Sequence, residues 1–272
     1  IPELRYEDCP GGTTGCPTLS LKPGSSFGMG THPFGQDDIG RDYFALVMNG
    51  ARRSLMIMFV IGAVAGFIGV VVGSIAGFYG KMVDAVLMRL VDFIQTVPTI
   101  IIAAVIGKAA GKVGPLYLAL FLGILGWTGL ARLVRAQFLS LREMEFVDAA
   151  RVAGASNIRI AFKHILPNAV GQIIVAVTLI MAGAILTETA LSYLGFGVVA
   201  PDVSLGLLIS QYESSFTTRP WLFWWPGLFI ISIALCVNFI GDGLRDAFDP
   251  RQRRRITKKD RLQAKVQAKA GA

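Results

Sequence analysis

Five apolar runs divide the chain, separated by polar segments of very different character. The first, 54–79, carries no charge from Leu55 to Tyr79. Gly62, Gly66, Gly69, Gly73 and Gly77 recur along it at helical spacing. Small residues at that spacing let neighbouring helices approach closely in lipid, so the run predicts a packed membrane helix. The second run, 86–107, has Arg89 and Asp92 near its start and Pro98 inside it. Arg89 and Asp92, three apart, are spaced for a pair on one helix face, and Pro98 predicts a kink. The third run, 116–131, is followed at once by Arg132 and Arg135. The fourth, 169–187, closes on Glu188, and the fifth, 221–241, opens on Trp221, Trp224 and Trp225, the composition of an interfacial aromatic belt. Runs that approach or exceed about 20 apolar residues are spans. The fold expected is an all-α polytopic membrane protein with five visible transmembrane helices.

Polar segments complete the organisation. Residues 1–54 read as a Pro/Gly-rich loop followed by an amphipathic lead-in, with Asp38 as the expected N-cap of its helix. Residues 55–244 form the membrane domain, which contains a polar loop at 143–168. Residues 245–272 form a basic tail with RQRRR and KKDR.

The longest polar interruption in the second half reads EFVDAARVAGASNIRIAFKHILPN, residues 145–168. A helix is expected over 145–153, with Phe146, Ala149, Ala150 and Ala153 on one face. Gly154 then breaks or bends it. Ser156 is placed to cap a second short helix over 157–165, and Pro167 to mark the turn into the next span. Two readings stay open on pattern alone: an ordinary amphipathic surface helix, or a segment presented to a partner.

Composition agrees with the spans. Of 272 residues 53% are hydrophobic and only 16% charged, with mean hydropathy +0.58, whereas soluble domains carry about 25% charged residues. A transmembrane β-barrel would show short alternating segments instead. The net charge of +8 lies in segments flanking the spans, not on a folded basic face, which argues against nucleic acid as a partner. Of the 26 Lys/Arg, two fall in 81–89, six in 132–163 and ten in the tail, against eight in the remaining segments. The positive-inside rule therefore places 145–168 and the C-terminus in the cytoplasm. Residues 1–54 would then be extracytoplasmic. An outer start without an apolar leader in 1–20 implies one earlier span, six in the whole protein. Cys9 and Cys16, in CPGGTTGC, would lie in an oxidising compartment and are candidates to close a small disulfide loop. Cys236, inside the last span, is expected in the core.

DAARVAG, nine further residues and then HILP resemble the E-A-A-x3-G-x9-I-x-L-P loop of binding-protein-dependent ABC importer permeases. Ala149, Ala150, Gly154, Leu166 and Pro167 match that pattern. Asp148 stands at the Glu position and His164 where the general pattern has Ile. HPFGQDDIGRDYFALVMNGARRSL, ETALSYLGFG and NFIGDGLRDAFDPR are similar to segments of the peptide/nickel branch, of dipeptide and oligopeptide C-subunit type. The resemblance spans 32–251. It implies a permease subunit that moves peptides, with nickel complexes as the alternative cargo. The implied partners are a second homologous permease, two ATP-binding subunits that hold ATP and Mg, and an extracytoplasmic substrate-binding protein. It also implies that Asp148, Ala149, Ala150, Gly154, Ala155, Ser156, His164 and Pro167 couple the chain to an ATPase, and that the membrane is the cytoplasmic membrane of a prokaryote. Asp148 would bond to the ATPase surface, Ala149, Ala150 and Gly154 would allow close docking, and His164 would be structural.

The chain carries no complete P-loop of its own. GKAAGKVG at 107–114 lacks the required spacing and the Ser/Thr after Lys. No catalytic constellation is visible, and His32 and His164, on opposite sides, define no metal site. Glu188 and Asp92 are the candidates for a substrate path, since carboxylates in membrane segments are expensive. Glu188 is expected at an outer helix end, within reach of water. In an ion-coupled transporter or channel, the competing reading, these two carboxylates would carry protons.

Overall fold

The computed structural model describes residues 32–110 and 114–248. Its helices are α1 Tyr43–Tyr79, α2 Lys81–Thr96, α3 Thr99–Ala110, α4 Pro115–Gly126, α5 Thr128–Leu141, α6 Glu145–Val152, α7 Asn157–Arg159, α8 Leu166–Tyr193, α9 Leu205–Tyr212 and α10 Trp221–Phe248. A π-helical turn, Ile160–Ile165, joins α7 to α8. Cys9, Cys16 and most of the basic tail lie outside the described residues.

Three helices are long and apolar enough to cross a membrane: Tyr43–Tyr79, Asn157–Tyr193 and Trp221–Ala247. Two helix pairs meet the same test as bent spans, Lys81–Thr96 with Thr99–Lys108 at 69° and Pro115–Gly126 with Thr128–Leu141 at 41°. Counting each pair as one span gives five. The sharper bend falls at Val97, whose backbone is extended, as the residue before a proline prefers.

α1 packs against α4, α5 and α8. Its glycines serve two neighbours. Gly62 and Gly66 face Met181 and Val177 of α8, while Gly69, Gly73 and Gly77 face Leu130, Val134 and Phe138 of α5. A Cβ on Gly73 would stand 2.5 Å from the Ala131 carbonyl oxygen, so these helices touch backbone to side chain and backbone.

α1 begins at Tyr43, so the lead-in and the first span are one helix. Its cap is Asp42, which accepts from the Ala45 N–H at 3.3 Å. Asp38 pairs instead with Arg219 at 3.3 Å. The start of α1 joins α9 and the start of α10 in a core of Tyr43, Val47, Leu205, Leu208, Tyr212 and Leu222. Trp225 belongs here, stacked on Phe34 with ring centroids 3.9 Å apart, while Trp224 stays exposed. Only part of the tryptophan cluster therefore has the exposure of a belt. Beneath it Asp37 is buried, accepting from Arg41 Nε at 2.6 Å and from the Tyr212 hydroxyl at 3.1 Å. Burial, then the charge of Asp37, pushes the Tyr212 phenol up to about 12. Cys236 is exposed on α10 rather than in the core.

Candidate functional site

The polar segment after α5 folds into a small, well-defined unit. α6 starts with Glu145 and Asp148 in its first turn and ends with Arg151 in its last, signs that favour the helix dipole. Val147 and Ala150 turn inward onto Val134, Phe138, Ile160 and Ile165. The apolar face expected at 146, 149, 150 and 153 is thus divided. Ala150 is buried, whereas Phe146, Ala149 and Ala153 point outward. With α6 only eight residues long, its inward stripe is set by Val147, one turn ahead of Ala150.

Gly154 ends α6 with φ +79°. Its N–H donates to the Arg151 carbonyl at 2.9 Å, and the Ala155 N–H donates to the Ala150 carbonyl at 3.0 Å. These two bonds form a Schellman motif, with Ala155 packed against the same cluster as Ala150. A Cβ on Gly154 would meet nothing within 4 Å, so within this chain the glycine serves conformation rather than close packing. Gly154→Ala is expected to cost about 1–2 kcal/mol of stability, and Gly154→Asn distinctly less, because Asn visits the left-handed region. Thermal unfolding of the two purified variants checks this, and equal losses would indicate a steric role instead.

Ser156 caps α7, its hydroxyl accepting from the Arg159 N–H at 3.4 Å. Pro167 does not mark a turn. α7, the π turn and α8 run on as one helical segment, Asn157–Tyr193. Proline lacks an N–H and crowds the carbonyl four residues back, so an α-helix interior tolerates it badly. Here the wider π register precedes it, with the Leu166 N–H bonded to the Ala161 carbonyl. The Asn168 side chain donates to the His164 carbonyl at 2.6 Å, so the contact formed at His164 is through its backbone.

The outer surface of this unit combines charge with exposed apolar side chains. Asp148 pairs with Arg151 at 3.0 Å, both well exposed. Around them Val152 is 91%, Ile158 68% and Phe162 63% exposed. Of the residues expected to couple, Asp148, Ala149, Gly154, Ser156 and Pro167 are exposed, His164 and Ala155 are half-buried, and Ala150 is buried.

Glu188 is placed quite differently from the expectation of an open helix end. It is fully buried. Oε2 accepts from the Ser54 hydroxyl at 3.1 Å and Oε1 from the Ser192 hydroxyl at 2.7 Å. Each serine in turn accepts a backbone N–H, from Leu205 at 3.2 Å and Val198 at 3.1 Å. Ser204 lies 3.5 Å from Ser192 and accepts from the Leu207 N–H. α8 continues past Glu188 to Tyr193, and α9 folds back over it, with Gly206 laid against Thr189 and Ser192. That covering closes off water. Ser54, Ser192 and Ser204 are hidden in the sequence because only the fold brings them together.

Asp92 does not pair with Arg89 but with Arg132 of α5, at 2.5 Å. The same two helices are also joined by Asp84 and Arg135, whose second contact is 2.6 Å. Arg132 and Arg135 follow the third apolar run, so they cross to α2 instead of closing a pair within it. Asp92 and Glu188 thus hold entirely different neighbours.

The fold and this loop can be set beside known proteins. The family of binding-protein-dependent transport system inner membrane components matches residues 69–254. The chain belongs to that family. Among its relatives is the oligopeptide transport system permease protein OppC of Mycobacterium tuberculosis, 40% identical over 236 residues, covering 86% of this chain and 79% of that one. OppC of Bacillus subtilis is 41% identical over 223 residues, covering 82% and 73%. In fold the chain is similar to the inward-facing MetNI methionine ABC transporter, with a TM-score of 0.62 at 20% identity, over 75% of this chain and 96% of that one. The chain is therefore a multi-pass permease component of the inner membrane.

Proposed function

We propose that this chain is one permease subunit of an ATP-driven ABC importer of peptides, and that the α6–α7 unit is its seat on an ATP-binding subunit. One observation carries the coupling role: Val152, Ile158 and Phe162 are bare on a segment studded with Arg151, Arg159 and Lys163. Those charges put the segment in water, and apolar side chains left open in water mark a protein interface. The peptide cargo is supported by the OppC relatives. In this reading the segment and the C-terminus face the cytoplasm, ATP and Mg belong to two partner ATPases, and this chain catalyses nothing. A second homologous permease completes the pathway, and an extracytoplasmic binding protein delivers the peptide. α10 offers an open apolar side for a membrane partner, with Trp224, Leu228, Ile231, Leu235 and Phe239 exposed.

Gentle-detergent purification from native membranes tests this, followed by reconstitution and assay of ATP hydrolysis. A P-loop subunit and a second multi-span subunit should co-purify, and peptide with the binding protein should stimulate hydrolysis. Recovery of the chain alone, with transport that survives ATP depletion, would overturn the proposal in favour of ion coupling.

A further inference from the structure

The bent span α2–α3 is polar where a lipid-facing helix should not be. On α2 the residues Arg89, Asp92, Gln95 and Thr96 fall on one face at helical spacing, and Val83, Leu87, Leu90 and Ile94 on the other. All four polar residues are exposed. The Asp92 side chain is 51% exposed, and that of its partner Arg132 on α5 is 48% exposed. At 1.5 Å per residue, positions 89–96 lie about 12–22 Å along the span from Lys81, inside it rather than at its end. The helix also breaks there. Val97 is extended, residues 95–100 are all exposed, and the last carbonyls of α2 have no further turn to bond. Lipid tolerates neither feature: charged side chains in a span face protein or water, and non-helical backbone at membrane depth is buried in protein or lines a cavity.

The charges on this face are unevenly matched. Arg132 holds Asp92 at 2.5 Å, whereas among the described residues Arg89 has no ion-pair partner. The face therefore carries one unbalanced guanidinium beside two hydrogen-bonding groups, Gln95 and Thr96, and the Thr96 hydroxyl donates to the Asp92 carbonyl at 2.9 Å. Covering such a face with the apolar side of another subunit would strand that charge, and water does not. We propose that this face of α2, with Arg132, lines a water-filled pathway, and that Arg89 takes the free carboxylate of a peptide in transit. The planar guanidinium fork matches a carboxylate. At an exposed site the hold stays weak enough to release, as transport requires. The carboxylate role rests on the peptide reading, and the pathway role rests on the membrane fold alone.

Two measurements on the intact complex test this. In native membranes opened to both sides, Gln95→Cys and Thr96→Cys should react with a charged, membrane-impermeant thiol reagent about tenfold faster than Leu90→Cys, since the reactive thiolate needs water. Leu90 is 48% exposed in this chain but lies on the apolar face. Rates are read as the increment over the unsubstituted protein, so Cys236 and the other native thiols cancel. Equal rates on the two faces would overturn the pathway role. In proteoliposomes with the binding protein, import of a peptide is compared with import of its C-terminal amide. Arg89→Gln should lower the peptide-to-amide ratio about fivefold, the worth of an exposed ion pair, and Arg89→Lys should restore most of it. The binding protein is common to all three complexes, so its own preference cancels. An unchanged ratio would overturn the carboxylate role. If the wild type imported neither compound, the peptide reading would fall and the carboxylate role with it, while the labelling contrast would decide the pathway role by itself.

Discussion

Glu188→Ala is expected to be the most damaging single substitution in the described structure, lowering stability by roughly 3–5 kcal/mol. Two contributions add. Two buried hydroxyls, on Ser54 and Ser192, lose their acceptor, and each unsatisfied buried group costs about 1–3 kcal/mol. The truncation also leaves a cavity where nothing reaches solvent. Glu188→Gln keeps the shape and one accepting oxygen, and is expected to cost only about 1–2 kcal/mol. Ser54→Ala should fall between them, because it also strands the Leu205 N–H at the start of α9. Thermal unfolding of the three detergent-solubilised variants gives the order. If Ala and Gln behaved alike, the serine contacts would not be what holds Glu188. If Ser54→Ala and Glu188→Ala were additive in the double variant, the two would not act as one network.

Val152→Arg has the opposite profile. Val152 is almost wholly exposed, so its own fold should hardly notice, within about 0.5 kcal/mol. If α6 seats on an ATPase, a long cation there should cut co-purification of the ATP-binding subunit at least tenfold, about 1.4 kcal/mol. Ile39→Arg is the control: also exposed, at 62%, but in the segment before α1, near the other end of that helix from the α6–α7 unit. It should leave the subunit in place. Similar losses from both variants would mean that Val152→Arg acts through general damage rather than at an interface.

How much of this was legible depends on the range of each interaction. The α1 glycines and the break at Pro98 are local, and the structure shows both where periodicity and steric rules put them. Gly154 and Ser156 were equally readable, since a left-handed turn and an N-cap are set by two or three neighbours. Glu188 was not. Hydropathy marks it as the end of an apolar run, but the fate of its charge is decided by Ser54, far back in α1, and by the α9 segment folding over. Asp92 was misassigned for the same reason: its partner is one helix away in space and 40 residues away in sequence. Pro167 misled in another way. The rule that proline ends helices is sound for α geometry, and the π turn is the exception that admits it. The division of the α6 face follows from Val147, whose burial depends on α5 and the π turn together.

The uninterrupted segment from Asn157 to Tyr193 has a mechanical meaning. At 1.5 Å per residue a helix of 37 residues is about 55 Å long. One end carries the exposed Ile158 and Phe162, and the other, through Glu188 and Ser192, is clamped to α1 and the 196–205 segment. A rod of that length acts as a lever arm: a tilt of about 5° displaces its far tip by about 5 Å. Its α register is interrupted by the π turn, set immediately behind Ile158. If the α6–α7 unit seats on an ATP-binding subunit as proposed, a push at Ile158 would swing this rod about the serine-ringed carboxylate, with the largest travel at the pushed end.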